Sequence, residues 1–258
     1  MALDDAILHA VEGGMSPPTF RLYEWEPPAI TMGYFQTALK ALEFERCLRD
    51  GVEVTRRLTG GRAVFHDHEL AYSVIGTTAD ERFGSTLMDT YRVICGIILD
   101  ALCSLGVAAS WSRGTPSGGE KEGGVSPEPC FLSASRYEIT VEGKKVVGSA
   151  QRRLGCSFLQ QGSILTGPGH ERIARYLHGS GTGQKRLRAL REKSTDLETA
   201  MGSPVNIFLL KKALFDSFTN ASGNTAEPGS PTGEEMEHAC RLMGERYGSK
   251  GWVLGHGS

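Results

Sequence analysis

Residues 56–67 have the sequence Arg-Arg-Leu-Thr-Gly-Gly-Arg-Ala-Val-Phe-His-Asp, and they decide how the rest of the chain is interpreted. Adjacent glycines allow backbone N–H groups to approach a ligand closely, and arginine carries a planar set of donors that suits carboxylate or phosphate. Taken alone, the stretch is better explained as a glycine turn between two strands with surface arginines. Its meaning therefore depends on the sequence around it.

The composition is that of an ordinary globular protein. The chain has 258 residues, a formal net charge of −2, 40% hydrophobic residues and 22% charged residues. Such a length allows one large domain, or one domain with a small appendage. No apolar run reaches the ~18 residues that span a bilayer, and no secretory signal is recognisable at the start. We therefore expect a cytoplasmic protein with no nucleic-acid and no membrane partner.

The six cysteines, at positions 47, 95, 103, 130, 156 and 240, include no C-x-x-C pair. This spacing fits neither a zinc site nor a disulfide framework, so we expect free thiols in a reducing compartment. Cys95 and Cys103 lie on an apolar helical stretch, where they are expected to be core residues. His66, Asp67 and His68 alternate across a strand and cannot all bind one ion, so no metal site is expected.

The hydrophobic periodicity predicts strands mixed with helices first and helices last. Helices are expected at 3–12, 38–49 and 86–105, and strands at 20–25, 29–34, 52–57, 62–66, 69–76, 136–141, 144–147 and 157–165. Glu142-Gly143 predicts a hairpin turn, and Ser203-Pro204 and Ser230-Pro231 predict the starts of two late helices. The pattern indicates an α+β protein, with a catalytic domain over 1–200 and a helical C-terminal extension over 201–258 packed on it.

Three other strings extend the pattern begun by residues 56–67. They are Met1-Ala2-Leu3-Asp4-Asp5-Ala6-Ile7-Leu8, then Arg21-Leu22-Tyr23-Glu24-Trp25 with Pro27-Pro28-Ala29-Ile30-Thr31-Met32-Gly33-Tyr34-Phe35-Gln36, and finally Gly143-Lys144-Lys145-Val146-Val147-Gly148-Ser149-Ala150-Gln151. In this order they resemble the lipoate-protein ligase and octanoyltransferase superfamily over about residues 1–165. The resemblance implies a biotin/lipoate protein ligase-like fold of mixed sheets flanked by helices. Many families with this fold begin with an extra strand, whereas this sequence starts directly at the first helix.

The resemblance leaves two chemistries to separate. Ligases activate free lipoate with ATP and need no nucleophilic side chain, whereas transferases pass an octanoyl group through a cysteine thioester. Arg62 stands where ligases typically carry a third glycine, and its side chain crowds a phosphate cradle. Cys130, at the end of a Gly/Pro/Ser-rich loop over 112–129, resembles the nucleophile of octanoyltransferases that act on the glycine cleavage H protein. Both features favour the transferase.

The resemblance implies a role for each candidate site residue. Cys130 would be the nucleophile, and Lys145 would lower the pKa of that thiol and assist proton transfer. The predicted substrate-binding residues are Arg56, Arg57, Gly60, Gly61, Arg62, Ala63, His66, Gly148, Ser149 and Ala150. The expected partners are octanoyl-acyl carrier protein as donor and a lipoyl domain or glycine cleavage H protein as acceptor, with no cofactor.

Three alternatives stay open at this point. Cys156 follows Arg152 and Arg153, which could also stabilise a thiolate. An ATP-dependent lipoate ligase would need ATP and Mg²⁺ and no essential cysteine. A binding module without activity would hold the lipoyl domain and transfer nothing. In addition, the basic stretch Lys185, Arg186, Arg188, Arg191 and Lys193 is either a docking surface for an acidic partner or a solvated helix face.

Overall fold

The computed structural model describes residues 1–112, 138–178, 183–223 and 226–255. The predicted loop over 112–129 and Cys130 therefore lie outside the described residues, apart from Ser112. The strands are β1 Thr19–Tyr23, β2 Ala29–Met32, β3 Glu53–Arg56, β4 Val64–His66, β5 Glu69–Thr77, β6 Ala109–Trp111, β7 Ile139–Val141, β8 Lys144–Leu154 and β9 Ser157–Leu165. The helices are α1 Ala2–Glu12, α2 Ala38–Ala41, α3 Phe44–Arg49, α4 Leu87–Ser104, α5 Gly183–Lys193, α6 Leu197–Met201, α7 Ile207–Ala221, α8 Gly233–Leu242 and α9 Lys250–Leu254.

The larger sheet is antiparallel and has the strand order β1-β5-β9-β8-β7-β6. The predicted hairpin is confirmed, because Glu142 and Gly143 have φ values of 51° and 77° between β7 and β8. Positive φ at both central residues gives a turn whose twist matches that of the flanking strands. β8 runs on to Leu154, well past the predicted end at 147, because it pairs with β9 along its whole second half.

The smaller sheet positions the opening motif. β2 lies in its centre, parallel to β3 and antiparallel to β4. Residues 57–63 form the connection between β3 and β4, so the paired glycines lie in a turn beside β2. The two predicted strands around this turn are confirmed, although the second begins at Val64 rather than at residue 62.

Helix α4 covers one face of the larger sheet and forms the main core. Ile94, Ile98 and Leu102 are fully buried and belong to the same cluster as Val147 and Ile164 of β8 and β9. Thr86 caps the helix through a reciprocal capping box with Asp89, and Gly106 follows its end with a φ of 79°. The prediction for 86–105 is confirmed.

The predicted single helix over 38–49 is wrong. The chain forms two short helices, α2 and α3, because Leu42 adopts an extended conformation and pairs with Leu177 in a β-bridge. The backbone N–H of Glu43 donates to the carbonyl of Tyr176 at 2.7 Å. A tertiary backbone pairing thus overrides a helical sequence pattern.

The late helices start a few residues after the predicted positions. Asn206 and Thr232, rather than Ser203 and Ser230, provide the N-cap side chains of α7 and α8. Both caps accept a hydrogen bond from the third backbone N–H of the helix, the group that lacks a partner within it. The helical character of the C-terminal part is confirmed.

The C-terminal helices pack on elements from the start of the chain. Ala239 and Leu242 of α8 form a cluster with Ala2 and Ala6 of α1. The buried carboxylate of Asp5 accepts hydrogen bonds from the side chains of Arg246 and Tyr247, at 2.5 and 3.0 Å. The division at residue 200 stays a prediction. Across the described ranges, no helix is long and apolar enough to cross a membrane.

Candidate active site

A small cavity lies where the two sheets meet. It has a volume of about 40 Å³ and is bordered by residues from both sheets and from the N-terminus: Met1, Tyr23, Thr31, Arg57, Val64, His66, Ala71, Gly148, Ser149, Ala150, Gln161, Gly162 and Ser163. The structure thus brings together five of the predicted substrate-binding residues, namely Arg57, His66, Gly148, Ser149 and Ala150. These five are far apart in sequence, and the contact between the sheets unites them.

One wall of the cavity consists of small residues on β8 and β9. The register places Gly148 opposite Ser163, Ser149 opposite Gly162 and Ala150 opposite Gln161. Gly162 lacks room for a side chain, because a Cβ there would lie 2.4 Å from the Tyr72 ring. Small residues of two neighbouring strands thus line this side of the cavity.

A directed chain of hydrogen bonds crosses the opposite wall. The His66 ring lies with Nδ1 2.6 Å from Glu69 Oε1 and Nε2 2.7 Å from Thr31 Oγ1. In addition to its contact with His66, Thr31 Oγ1 accepts a hydrogen bond from Arg57 Nη1 at 3.0 Å. The His66 ring stacks on Trp25 with 4.5 Å between ring centroids, which fixes its plane. A buried imidazole and a buried guanidinium thus border the cavity, and the imidazole is hydrogen-bonded to the buried Glu69 carboxylate.

Arg57 also organises the glycine turn. Its Nη2 donates to the carbonyls of Gly60 and Arg62, at 2.7 and 2.8 Å. Gly61 has a φ of 87°, a conformation that favours glycine. A Cβ on Gly33 would lie 1.9 Å from the Gly61 carbonyl oxygen, so the turn packs directly against the end of β2. Backbone conformation therefore favours glycine at Gly61, and close packing against the turn favours glycine at Gly33.

The other residues of the motif lie around this turn. The Arg56 guanidinium is buried and donates to the carbonyls of Gly33, Tyr34 and Trp252, at 2.8, 2.7 and 2.6 Å. Burial lowers the pKa of Arg56. These contacts join the turn to α9, so Arg56 holds two parts of the fold together. Its contact with substrate stays a prediction. Ala63 is buried in the core of the smaller sheet, and Arg62 is half-buried at the turn.

Asp67 and His68 diverge from His66 because they form the tight turn between β4 and β5, in which His68 has a φ of 49°. Asp67 forms an ion pair with Arg172 at 2.7 Å, whereas the His68 side chain is exposed. His66 alone of these three residues borders the cavity.

Lys145 forms a buried ion pair. Its Nζ lies 2.6 Å from Glu138 Oε1, and the two side chains are only 8% and 6% exposed. Among the described residues it is not a direct neighbour of the cavity. Its charge nevertheless acts on the Cys95 thiol, which lies 3.9 Å from Ser149 Oγ in the cavity wall. Lys145 is thus buried on the same strand as the Gly-Ser-Ala segment without bordering the cavity.

The described cysteines differ sharply in their surroundings. Cys95 is buried, as predicted, and burial raises the pKa of its thiol to about 12, opposed by hydrogen bonds and by Lys145. Cys103 is exposed, so its assignment to the core is wrong, because it lies on the outer side of the last turn of α4. Cys156 is exposed at the tip of the β8–β9 hairpin, where its N–H donates to Glu12. The four residues of strand between Ala150 and that tip span about 13 Å, which separates Cys156 from the cavity.

Several side chains at the site were missed in the sequence. Thr31, Glu69 and Ser163 join the network around His66, and Ser163 Oγ donates to Glu69 Oε1 at 2.9 Å. Glu138 pairs with Lys145. Glu69 follows His66 by three residues across a tight turn at His68, and this spacing was the signal in the sequence for contact between the two side chains. The other contacts depend on strand register, which a single sequence does not show.

Comparisons with known proteins give the family to which the chain belongs. Residues 1–219 match the family model described as the lipoyl protein ligase A/B catalytic domain. The chain is 40% identical over 245 residues to the octanoyltransferase LipM of Kyrpidia tusciae, covering 94% of this chain and 89% of that protein. It is 38% identical over 256 residues to the octanoyltransferase LipM of Symbiobacterium thermophilum, covering 98% and 93% of the two chains.

Solved structures of lipoate ligases share the fold. A bipartite lipoate protein ligase from Thermoplasma acidophilum superimposes with a TM-score of 0.80 at 19% identity, over 100% of this chain and 91% of that one. A lipoate-protein ligase A structure bound with ATP gives a TM-score of 0.79 at 22% identity, over 99% and 92% of the two chains. The predicted lipoate ligase-like α+β fold is therefore confirmed. With a family model that matches most of its length, the chain belongs to the lipoyl protein ligase A/B catalytic domain family.

Proposed function

We propose that this protein is an octanoyltransferase that takes an octanoyl group from octanoyl-acyl carrier protein and attaches it to a lysine of a lipoyl-type domain. The observation that carries the proposal is the likeness over 94–98% of the chain to proteins named octanoyltransferase LipM. The cavity supports it, because the Gly-Ser-Ala wall and the Arg57–His66 wall enclose a space between the two sheets. The acceptor can be a lipoyl domain or the glycine cleavage H protein.

The first step of the proposed reaction forms an acyl-enzyme. Cys130 attacks the donor thioester as a thiolate, and the carrier leaves as its own thiol. Backbone N–H groups near Gly148 to Ala150 stabilise the tetrahedral oxyanion. Within the described residues, β7 pairs with β8 only as far as Val147. Gly148 to Ala150 of β8 therefore lie beyond the part of the strand that is paired with β7.

The second step transfers the acyl group to the acceptor. The lysine amine attacks the thioester carbonyl, an amide forms and Cys130 is released. Lys145, which forms a buried ion pair with Glu138, assists the transfer of the amine proton and supplies positive charge near the reacting thioester. Such charge favours the thiolate both as nucleophile and as leaving group.

The proposed reaction uses neither ATP nor Mg²⁺. Arg62 supports this, because its side chain occupies the position where a third glycine would open the turn to phosphate. The likeness in fold to a ligase bound with ATP concerns the fold alone at 22% identity. Cofactor-free transfer is therefore the chemistry that we assign.

A transfer assay tests the proposal. The purified protein is incubated with an unmodified glycine cleavage H protein and octanoyl-acyl carrier protein, without nucleotide, and the acceptor is weighed by mass spectrometry. We expect one octanoyl group on the acceptor. A matched reaction with free octanoate, ATP and Mg²⁺ should give none. Modification only in the second reaction would show that the protein is a ligase.

We propose the basic helix α5 as an entry surface for the acidic partners, and the structure shows which groups its charges contact. Arg191 pairs with Glu171 at 2.6 Å and Arg188 with Glu192 at 2.9 Å. Arg186 donates to the carbonyl of Leu177 at 2.5 Å. Because local partners neutralise part of the helix, we expect only a modest salt-dependent contribution to partner binding.

A further inference from the structure

Strand β8 has a different neighbour at Lys145 from the one that it has further along. On one side Lys145 pairs with Thr140 of β7, whereas on the other side β9 pairs with β8 only from Val147 onward. At Lys145 this second side is occupied by the residues that follow α5. Ser194 forms a parallel β-bridge with Lys145, and the Thr195 N–H donates to the Lys145 carbonyl at 3.0 Å. The segment after α5 therefore fixes the backbone of Lys145.

The side chain of Ser194 ties this segment to a buried histidine. Ser194 Oγ donates to the Leu190 carbonyl at 2.8 Å and lies 2.8 Å from His170 Nε2. A carbonyl oxygen can only accept, so the single hydroxyl proton of Ser194 is used on Leu190 and His170 Nε2 is the donor to Ser194. Ser194 and His170 are 3% and 4% exposed, which shields their hydrogen bond from competition by water.

His170 is suited to hold Ser194 as a neutral ring. It is the first residue of a short 3-10 helix that follows β9. Burial lowers the pKa of His170, although the charges of Glu171, Asp196 and Glu69 oppose this effect. At neutral pH the ring therefore carries one proton, which the contact with Ser194 places on Nε2. The ring thus binds Ser194 without adding a buried charge to this part of the fold.

From these contacts we propose that His170 and Ser194 are positioning residues for Lys145 in the transfer step. This assignment rests on the proposed function, in which Lys145 assists the transfer of the amine proton. The Nζ of Lys145 is held 2.6 Å from Glu138, and its backbone is held by Ser194 and Thr195. Because a misplacement of about 1 Å can slow an enzymatic reaction about 100-fold, the contacts that hold this backbone also affect the rate. His170 and Ser194 act through Lys145 and need no contact with substrate.

The test compares variants that remove or keep the donor at position 170. His170→Leu removes it, whereas His170→Gln places an amide N–H near the position of Nε2. Transfer to glycine cleavage H protein is measured in single turnovers of the isolated octanoylated enzyme, at increasing acceptor concentration and well below the unfolding temperature of each variant. We expect His170→Leu to lower the maximal rate about 10-fold without changing the half-saturating acceptor concentration, and His170→Gln to restore most of the rate. The Thr195 amide, which is bonded to Lys145, should exchange faster in His170→Leu.

Matched variants separate positioning from a general loss of stability. Ser194→Ala is a smaller change and should slow transfer as His170→Leu does. Ser157→Ala removes a similar buried hydroxyl, which donates to the Leu154 carbonyl at 2.9 Å at the far end of the β8–β9 hairpin, and should leave transfer unchanged.

The outcomes distinguish this assignment from the proposed function. A wild-type rate in both His170→Leu and Ser194→Ala, or no recovery in His170→Gln, would overturn the assignment of the positioning residues alone. Unchanged exchange of the Thr195 amide in His170→Leu would do the same, because the effect would then not reach Lys145. Absence of octanoyl transfer by the wild-type protein would overturn the proposed function, and the positioning assignment with it.

Discussion

Breaking the buried ion pair between Glu138 and Lys145 should strongly destabilise the protein. The paired atoms are 2.6 Å apart, and neither side chain is more than 8% exposed. Breaking a buried ion pair by removing one of its two members costs about 3–5 kcal/mol in proteins. Glu138→Ala and Lys145→Met should therefore each lower the free energy of unfolding by about this amount.

A double-mutant cycle measures the interaction itself. Because the double variant Glu138→Ala/Lys145→Met buries no lone charge, we expect it to lose less than the sum of the two single variants, by about 2 kcal/mol or more. Urea unfolding of the four proteins at neutral pH gives the free energies of unfolding. The comparison requires that the slope of this free energy against urea concentration is the same in all four. Additive losses, or single-variant losses below about 1 kcal/mol, would refute a strong buried pair.

Three further predictions concern the glycine turn and the thiols. Gly33→Ala should destabilise the protein by about 1–3 kcal/mol in urea unfolding, because its Cβ would lie 1.9 Å from the Gly61 carbonyl oxygen; wild-type stability would contradict this packing. Arg56→Lys should speed amide hydrogen exchange in α9, because lysine lacks the guanidinium donors that bind the carbonyls of Gly33 and Trp252 at the same time. Unchanged exchange would contradict a stabilising contact between Arg56 and α9. Iodoacetamide at pH 8 should alkylate Cys156 and spare Cys95, whose pKa is raised to about 12 by burial, as peptide mass spectrometry can show; equal labelling would contradict the burial of Cys95.

Much of the fold could be predicted because its signals are local. The capped helix α4 and the hairpin at Glu142-Gly143 are specified by short-range chemistry, namely a capping box and a turn that needs positive φ. The break at Leu42 could not be predicted, since it depends on pairing with Leu177 from a distant segment. The late N-caps were misplaced because Ser-Pro pairs gave a stronger local signal than Asn206 and Thr232.

The site was predicted only in part, for a related reason. The glycine motif and the Gly-Ser-Ala segment were recognisable as strings, and the structure brings them to one cavity. The partners of those residues were not recognisable, because they depend on which strands face each other. Arg56 shows most clearly what the sequence does not reveal. The sequence indicates an anion-binding arginine, whereas in the structure its guanidinium donates to backbone carbonyls, including that of Trp252 in α9.

The central claim is that the acyl group passes through a thioester on Cys130. Intact-mass spectrometry after incubation with octanoyl-acyl carrier protein, without ATP, tests it most directly. We predict that the wild-type protein gains the mass of one octanoyl group, that hydroxylamine removes it, and that Cys130→Ser prevents it while Cys156→Ser does not. An octanoyl adduct that persists in Cys130→Ser and disappears in Cys156→Ser would contradict the assignment of the nucleophile, and the absence of any adduct would contradict thioester transfer.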